Sequence, residues 1–232
     1  MTNVKPTIAI IGGTGNEGAG LALRWANAGY PIIIGSRSAE RATIRAKELN
    51  RSLHSEQDDA PIRGLENKAA AAASEIVVVT VPYAGHAAIL DEIAPFVQAK
   101  IVVDATVPLK PPKVAVVTVP PAGSASQEAQ AILGPGASVV TAFQNISAEN
   151  LQDLDRQMDT DVLVCGDDKE AKQRVIELIK DLGMRGLDVG PLANAIVVEG
   201  LTSLLIAINR RYKAHTAGIR ITGIPETTSD QH

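Results

Sequence analysis

The sequence predicts an α/β fold, a doubly wound and mostly parallel sheet with helices on both faces. Three observations carry that prediction. Short strand-like runs recur along the chain at Ile8–Ile11, Ile32–Ile34, Glu75–Val81 and Lys100–Asp104. Segments of helical period separate them, and such alternation winds by right-handed crossovers into an open parallel sheet. Between the first run and the first helix stands Gly13-Thr14-Gly15-Asn16-Glu17-Gly18. A G-x-G-x-x-G turn between a strand and a helix binds dinucleotides. Gly13 is expected to let the strand turn sharply, Gly15 to let a pyrophosphate approach the backbone, and Gly18 to let the helix pack on the sheet. The first turn of that helix then offers free N–H groups and a positive dipole end to phosphates.

The elements follow in order. After Ile34, Ser38 is placed to cap a helix from Ala39 to Leu53, and His54 to Pro61 is polar and reads as loop. Glu66 to Ala73 is alanine-rich and reads as a short helix. Glu75 to Val81 is an unbroken strand of the kind buried on both faces, ended by Pro82. Gly85 to Val97 has helical period despite Pro95, and Lys100 to Asp104 is the next strand. Ala105 to Pro135 holds several prolines around the β-branched run Val114 to Val119, which predicts a loop, a short strand and a helix from Ser124 to Leu133. A strand at Ala137 to Thr141, a short helix capped by Ser147 and a strand at Val162 to Val164 come next. Asp167-Asp168 opens a helix with acids in its first turn, where the dipole favours them, and Gly183 ends it. Gly186 to Val189 is the last predicted strand. Pro191 to Lys213 is the longest helical pattern, apolar on more than one face. Such a helix is buried, covers a dimer interface or walls the substrate site. From Pro225 the chain is polar and reads as a flexible tail.

Composition excludes several classes. Of 232 residues, 45% are apolar and 21% charged, which is ordinary for a soluble globular chain. Aromatic residues make up only 3%, against a base-stacking nucleic-acid binder, and a net charge of −4 gives no attraction to nucleic acid or an anionic membrane. No basic n-region precedes an apolar h-region, and Glu199 and Asn209 interrupt the one long apolar stretch before it reaches spanning length. Cys165 is the sole cysteine and follows an apolar run, so no disulfide forms and the thiol is a buried, inert one. A cytoplasmic protein is expected.

The end of the second strand chooses between dinucleotides. An acid there would bond the ribose 2′-OH of NAD. Here it reads Ser36-Arg37, with Arg41 one helical turn on, so a hydroxyl and two guanidinium groups are placed to hold the 2′-phosphate of NADP. The nicotinamide would cross the carboxyl ends of the strands, at Gly12-Gly13-Thr14, Val81-Pro82-Tyr83, Ala105-Thr106-Val107 and Phe143-Gln144-Asn145. Thr14 and the backbone around Val81 and Pro82 are expected beside the cofactor. No catalytic constellation or metal spacing stands out. His86 either touches the site or serves a surface or capping role. Hydride transfer between two ring cofactors needs positioning more than acid–base help, and suits a site of this kind.

Ile11-Gly12-Gly13-Thr14-Gly15-Asn16, Gly35-Ser36-Arg37, Val164-Cys165-Gly166-Asp167-Asp168 and Asp188-Val189-Gly190-Pro191-Leu192 resemble the NADPH-dependent reductases of the deazaflavin coenzyme F420, from Thr7 to Ile224. The resemblance implies hydride exchange between NADP(H) and the deazaflavin, a Rossmann-type domain over residues 1–190, a C-terminal helical segment over 191–224 that completes the cleft, and a homodimer. By position it places Thr14, Ser36, Arg37 and Arg41 on NADP, and Tyr83, the Phe143-Gln144-Asn145 turn and the C-terminal helix around the deazaflavin. Gln144 stands where the family usually shows histidine, Tyr83 where tryptophan or phenylalanine is frequent, and Arg41 where lysine is common. The rival readings are an NADPH reductase of another acceptor (flavin, ferric iron, an imine or a keto acid) and a sensor that binds NADP(H) without turnover.

Overall fold

A computed structural model describes residues 5–54 and 60–224; most of the polar segment before Pro61 and the tail from Pro225 lie outside the described residues. The strands are β1 Ile8–Ile11, β2 Ile32–Ser36, β3 Ile62–Glu66, β4 Ile76–Val79, β5 Ile101–Asp104, β6 Ser138–Thr141, β7 Asp161–Gly166 and β8 Arg185–Asp188. The helices are α1 Asn16–Asn27, α2 Ala39–Ser52, α3 Asn67–Ala72, α4 Tyr83–Ile93, α5 Ala125–Leu133, α6 Ala148–Gln152, α7 Lys169–Lys180 and α8 Ala195–Tyr212. The strands form one sheet in the order β3-β2-β1-β4-β5-β6-β7-β8, parallel throughout except where β6 meets β7. This is the doubly wound, mostly parallel sheet that the sequence predicts, with its switch in order between β1 and β4.

Alternation along the strands divides the core. Ile8 and Ile10 of β1 join Leu21 and Trp25 of α1, Leu49 of α2 and Val175 and Leu178 of α7 on one face. Ala9 and Ile11 join Leu90 and Ile93 of α4 and Ala129 and Leu133 of α5 on the other. Successive side chains of a strand point to opposite faces, so four consecutive apolar residues feed both layers.

Several elements differ from the sequence reading. Residues 62–66 form edge strand β3, a stretch to which the sequence reading gave no element before the helix expected from Glu66. Its sequence, IRGLE, has two apolar residues, and it is drawn into the sheet by α2, which packs so closely that a Cβ at Gly64 would sit 2.2 Å from the Ala42 carbonyl carbon. Val114–Val119 is not a strand: Val116, Val117 and Val119 are exposed, and prolines on both sides keep the segment off any sheet edge. The helix expected from Gly85 starts at Tyr83 and breaks into a 3₁₀ turn at Ala94–Phe96, around Pro95. The last strand begins one residue earlier than expected. Leu192–Tyr212 is, by length and composition alone, apolar enough to cross a membrane, contrary to the expectation that no stretch qualifies. In the fold its Val198 packs on Leu163 and Cys165 of β7, while Glu199 accepts the Ala125 and Ser126 N–H groups at 2.8 and 3.0 Å.

Helix α1 is held firmly. Trp25 meets Phe143 edge to face at 5.6 Å and donates its indole N–H to the Leu178 carbonyl. The buried Arg24 guanidinium donates to the carbonyls of Asn150, Leu151, Asp153 and Arg156, at 2.6 to 3.2 Å, where α6 ends and exposes its unpaired oxygens. Arg24→Met should therefore cost about 3 kcal/mol of stability in denaturant unfolding, as loss of a buried charged hydrogen-bond donor does. Arg24→Lys should recover only part of it, because a single ammonium lacks the planar fork.

Candidate functional site

A cleft of about 1040 Å³ crosses the carboxyl ends of the strands. Thr14, Gly15 and Asn16 line it after β1, Ser36 and Arg37 at the end of β2, Val81 and Pro82 after β4, Thr106 and Val107 after β5, and Gln144 and Ile146 after β6. Arg41 of α2 and Thr202 of α8 close its two ends. From β2 to β6 is four strand steps, roughly 19 Å at ~4.8 Å per step. The cleft is therefore long, and lies where doubly wound sheets bind their ligands.

The phosphate turn is built by crowding as much as by backbone freedom. Gly12, not Gly13, carries the left-handed conformation, at φ +81°. Gly13 is required because a Cβ would come within 2.8 Å of the Ile10 carbonyl and 2.9 Å of Ile34. Gly18 lies against Thr80 and Gly13, so it and Gly13 sit behind the cleft and shape it. Gly15 has an ordinary φ of −76°, and a Cβ there would be no closer than 3.4 Å to its nearest neighbour. Nothing in the chain itself demands glycine at 15. Side-chain oxygens of Ser38, Ser124, Ser147 and Asp168 cap α2, α5, α6 and α7. No side chain caps α1, so its first N–H groups are left for whatever occupies the cleft.

At the β2 end Ser36, Arg37 and Arg41 share the lining with Asn67. Asn67 is buried and its Oδ1 has no hydrogen-bond partner. The sequence reading missed it because it follows the unpredicted strand β3.

At the other end Phe143 adopts φ +78°, rare for a bulky residue, and this turn directs Gln144 into the cleft. The Gln144 Nε2 donates to the Asp104 carbonyl at 2.6 Å, and its backbone carbonyl accepts from Thr202 at 2.7 Å. Its buried Oε1 is unpartnered. Gln144 thus lines the cleft, held from behind by Asp104 and Thr202.

Tyr83, expected beside the acceptor, does not line the cleft. It opens α4 and donates its hydroxyl to Glu128 of α5 at 3.0 Å. His86 is neither at the surface nor a cap: its ring is buried and its Nε2 lies 2.9 Å from Asp104 Oδ2. Burial alone would lower the histidine pKa, but the hydrogen bond and charge of Asp104, with the charges of Glu199 and Glu128, raise it. Asp104 was visible in the sequence as an acid closing an apolar strand. Burial pushes Glu199 up to about 7 against the pull of its two N–H donors. Glu17, in the first turn of α1, lines the cleft and is pushed up to about 8 by burial and then by the charge of Asp104. An acid inside a phosphate turn was the signal that could have singled it out. Cys165 is buried, with its thiol pushed up to about 12, as an inert thiol requires.

Residues 7–108 match the family model described as NADP oxidoreductase, coenzyme F420-dependent. The chain is 42% identical over 224 residues to the F420-dependent NADP reductase of Methanocaldococcus jannaschii, covering 94% of this chain and 98% of that one. It is 38% identical to the reductase of the same description from Methanothermobacter marburgensis, covering 94% and 99%. A crystal structure from Arthrobacter sp. FB24, ascribed to an F420-dependent NADP reductase, superposes with a TM-score of 0.78 at 27% identity, over 94% of this chain and 99% of that one.

Glu199 binds its proton more tightly in the folded chain than in the unfolded one, where its pKa is near 4.5. Its contribution to stability is full below that value and is lost as the pH rises through about 7. Urea unfolding at pH 5 and pH 8 should show this loss, and Glu199→Gln should shrink the difference between the two. An unchanged difference would contradict the assignment.

Proposed function

We propose that this chain, which belongs to the family of F420-dependent NADP reductases, passes a hydride between NADP(H) and the deazaflavin coenzyme F420. The observation that carries the reading is one continuous cleft with an uncapped helix end at its middle, two arginines at one end and the anchored Gln144 at the other.

The residues fit both substrates. Gly15 leaves room for a pyrophosphate, and the free N–H groups of α1 meet its charge together with Thr14 and Asn16. Ser36, Arg37 and Arg41 hold the 2′-phosphate. Val81, Pro82 and Thr106 form the wall against which the nicotinamide lies, and Gln144 lines the deazaflavin end. When both are bound, the hydride moves directly between the two rings, so the task of the protein is to hold them face to face and keep water out. Residues 1–190 make the NADP-binding unit in this reading, and 191–224 complete the cleft through Thr202.

The assembly is a homodimer. Ile196, Val197, Leu204 and Ile208 of α8 are exposed, and Val117 lies beside Gly200 of the same helix. A continuous apolar strip of this kind is covered in a working protein, and a second copy supplies a matching one by two-fold symmetry. The lone buried cysteine supports a cytoplasmic placement.

Mixing the protein with NADPH and oxidised F420 should bleach the NADPH absorbance, while free flavins leave it intact. Turnover with flavin alone would overturn the reading. Arg37→Glu should weaken NADPH binding at least tenfold, from loss of a charge-assisted pair, and leave the melting temperature nearly unchanged. Binding titrations with NADPH and NADH check both the loss and the collapse of preference.

A further inference from the structure

We propose that Glu17 handles the proton that accompanies hydride transfer, giving it to the acceptor ring in one direction and taking it back in the other. The proposal rests on the reading above and adds a residue to it. A deazaflavin that gains a hydride at carbon is left with an extra negative charge on its pyrimidine ring and takes one proton at nitrogen. Among the described residues that line the cleft, Glu17 is the carboxyl at the phosphate turn, and it makes no hydrogen bond or ion pair. It is half-buried, in the first turn of α1, across from the end of β5. The arginines that line the cleft, Arg37 and Arg41, belong to its far end.

Helices α2 and α6 pack on α1 and carry Glu40, Arg41 and Glu149 in their first turns, and Asp104 closes β5. Of these Asp104 acts on the carboxyl, and acts to keep its proton on. An ionised carboxylate here would repel the phosphates that the helix end attracts; a neutral one leaves them undisturbed. Glu17 is thus charged with a proton before the reaction, near the pH of its surroundings, where a proton donor works best.

The step balances. The C–H bond of the dihydronicotinamide breaks with its electron pair and a C–H bond forms on the deazaflavin. Glu17 breaks its O–H bond, and an N–H bond forms on the acceptor. The carboxylate that remains faces a nicotinamide ring that has become positive, so Glu17 gains the counter-charge it lacks at rest. In reverse, the carboxylate recovers the proton as the ring returns to neutral.

The test uses the whole protein, its Glu17→Gln variant and a Glu17→Leu variant. NADP⁺ and NADPH affinities are measured by calorimetry from pH 6 to pH 10, in buffers of different ionisation heat so that protons are counted. In the unaltered protein the Kd ratio of NADP⁺ to NADPH should fall about tenfold or more as the pH rises through 8. NADP⁺ binding at pH 7 should also release a fraction of a proton. Both variants should show a flat ratio and no release, and single-turnover transfer from NADPH to F420 at pH 7 should slow by roughly a hundredfold. Equal proton counts and equal pH profiles in the unaltered protein and the variants, with transfer intact, would overturn the role of Glu17 and leave the reductase reading standing. No transfer in the unaltered protein, with the proton release present, would overturn the reductase reading instead.

Discussion

The first turn of α1 is the constraint on which the rest depends. Its N–H groups, like those of α3, α4 and α8, are left without a side-chain cap, while serine or aspartate caps close the other four described α-helices. An uncapped helix end on the edge of a cleft is unfinished without an anion. The fold holds it there at some effort. Gly18 and Gly13 let the helix approach the sheet until Cβ atoms would collide, Trp25 ties it to α7, and Arg24 ties it to the end of α6. A phosphate site on a helix so anchored is preorganised, and a ligand binding there loses little to rearrangement.

The cleft is electrically uneven along its length. Arg37 and Arg41 line one end of it, while Asp104 and Glu199 lie buried behind the other. Asp104 is paired with His86, and Glu199 is bound to the start of α5. These contacts keep the buried acids satisfied, as a low-dielectric interior demands. They also tie α4 to β5 and α8 to α5, so the elements behind this end of the cleft are braced by buried charged groups. Gln144 takes its orientation from this layer, through the carbonyl of Asp104.

Much of this was legible in the residues. The glycine turn and the strand-like runs from Ile8, Ile32 and Lys100 pointed to a doubly wound, mostly parallel sheet, because they are local patterns whose spacing follows from backbone geometry. What stayed hidden was set by distant contacts. IRGLE becomes a strand because β2 and α2 cover it, and Asn67 could not be placed until that strand was. Val114–Val119 has the composition of a strand and no edge to pair with. Tyr83 and His86 lie three residues apart on α4, yet both turn to partners on α5 and β5 that their spacing does not reveal.

The measurement that bears most directly on the account is a crystal structure of the protein with NADP⁺ bound. The account predicts the pyrophosphate on the N–H groups at the start of α1, the 2′-phosphate between Ser36, Arg37 and Arg41, and the nicotinamide at the ends of β4 and β5. A nucleotide bound with Arg37 and Arg41 facing solvent, or with another group on the start of α1, would contradict it.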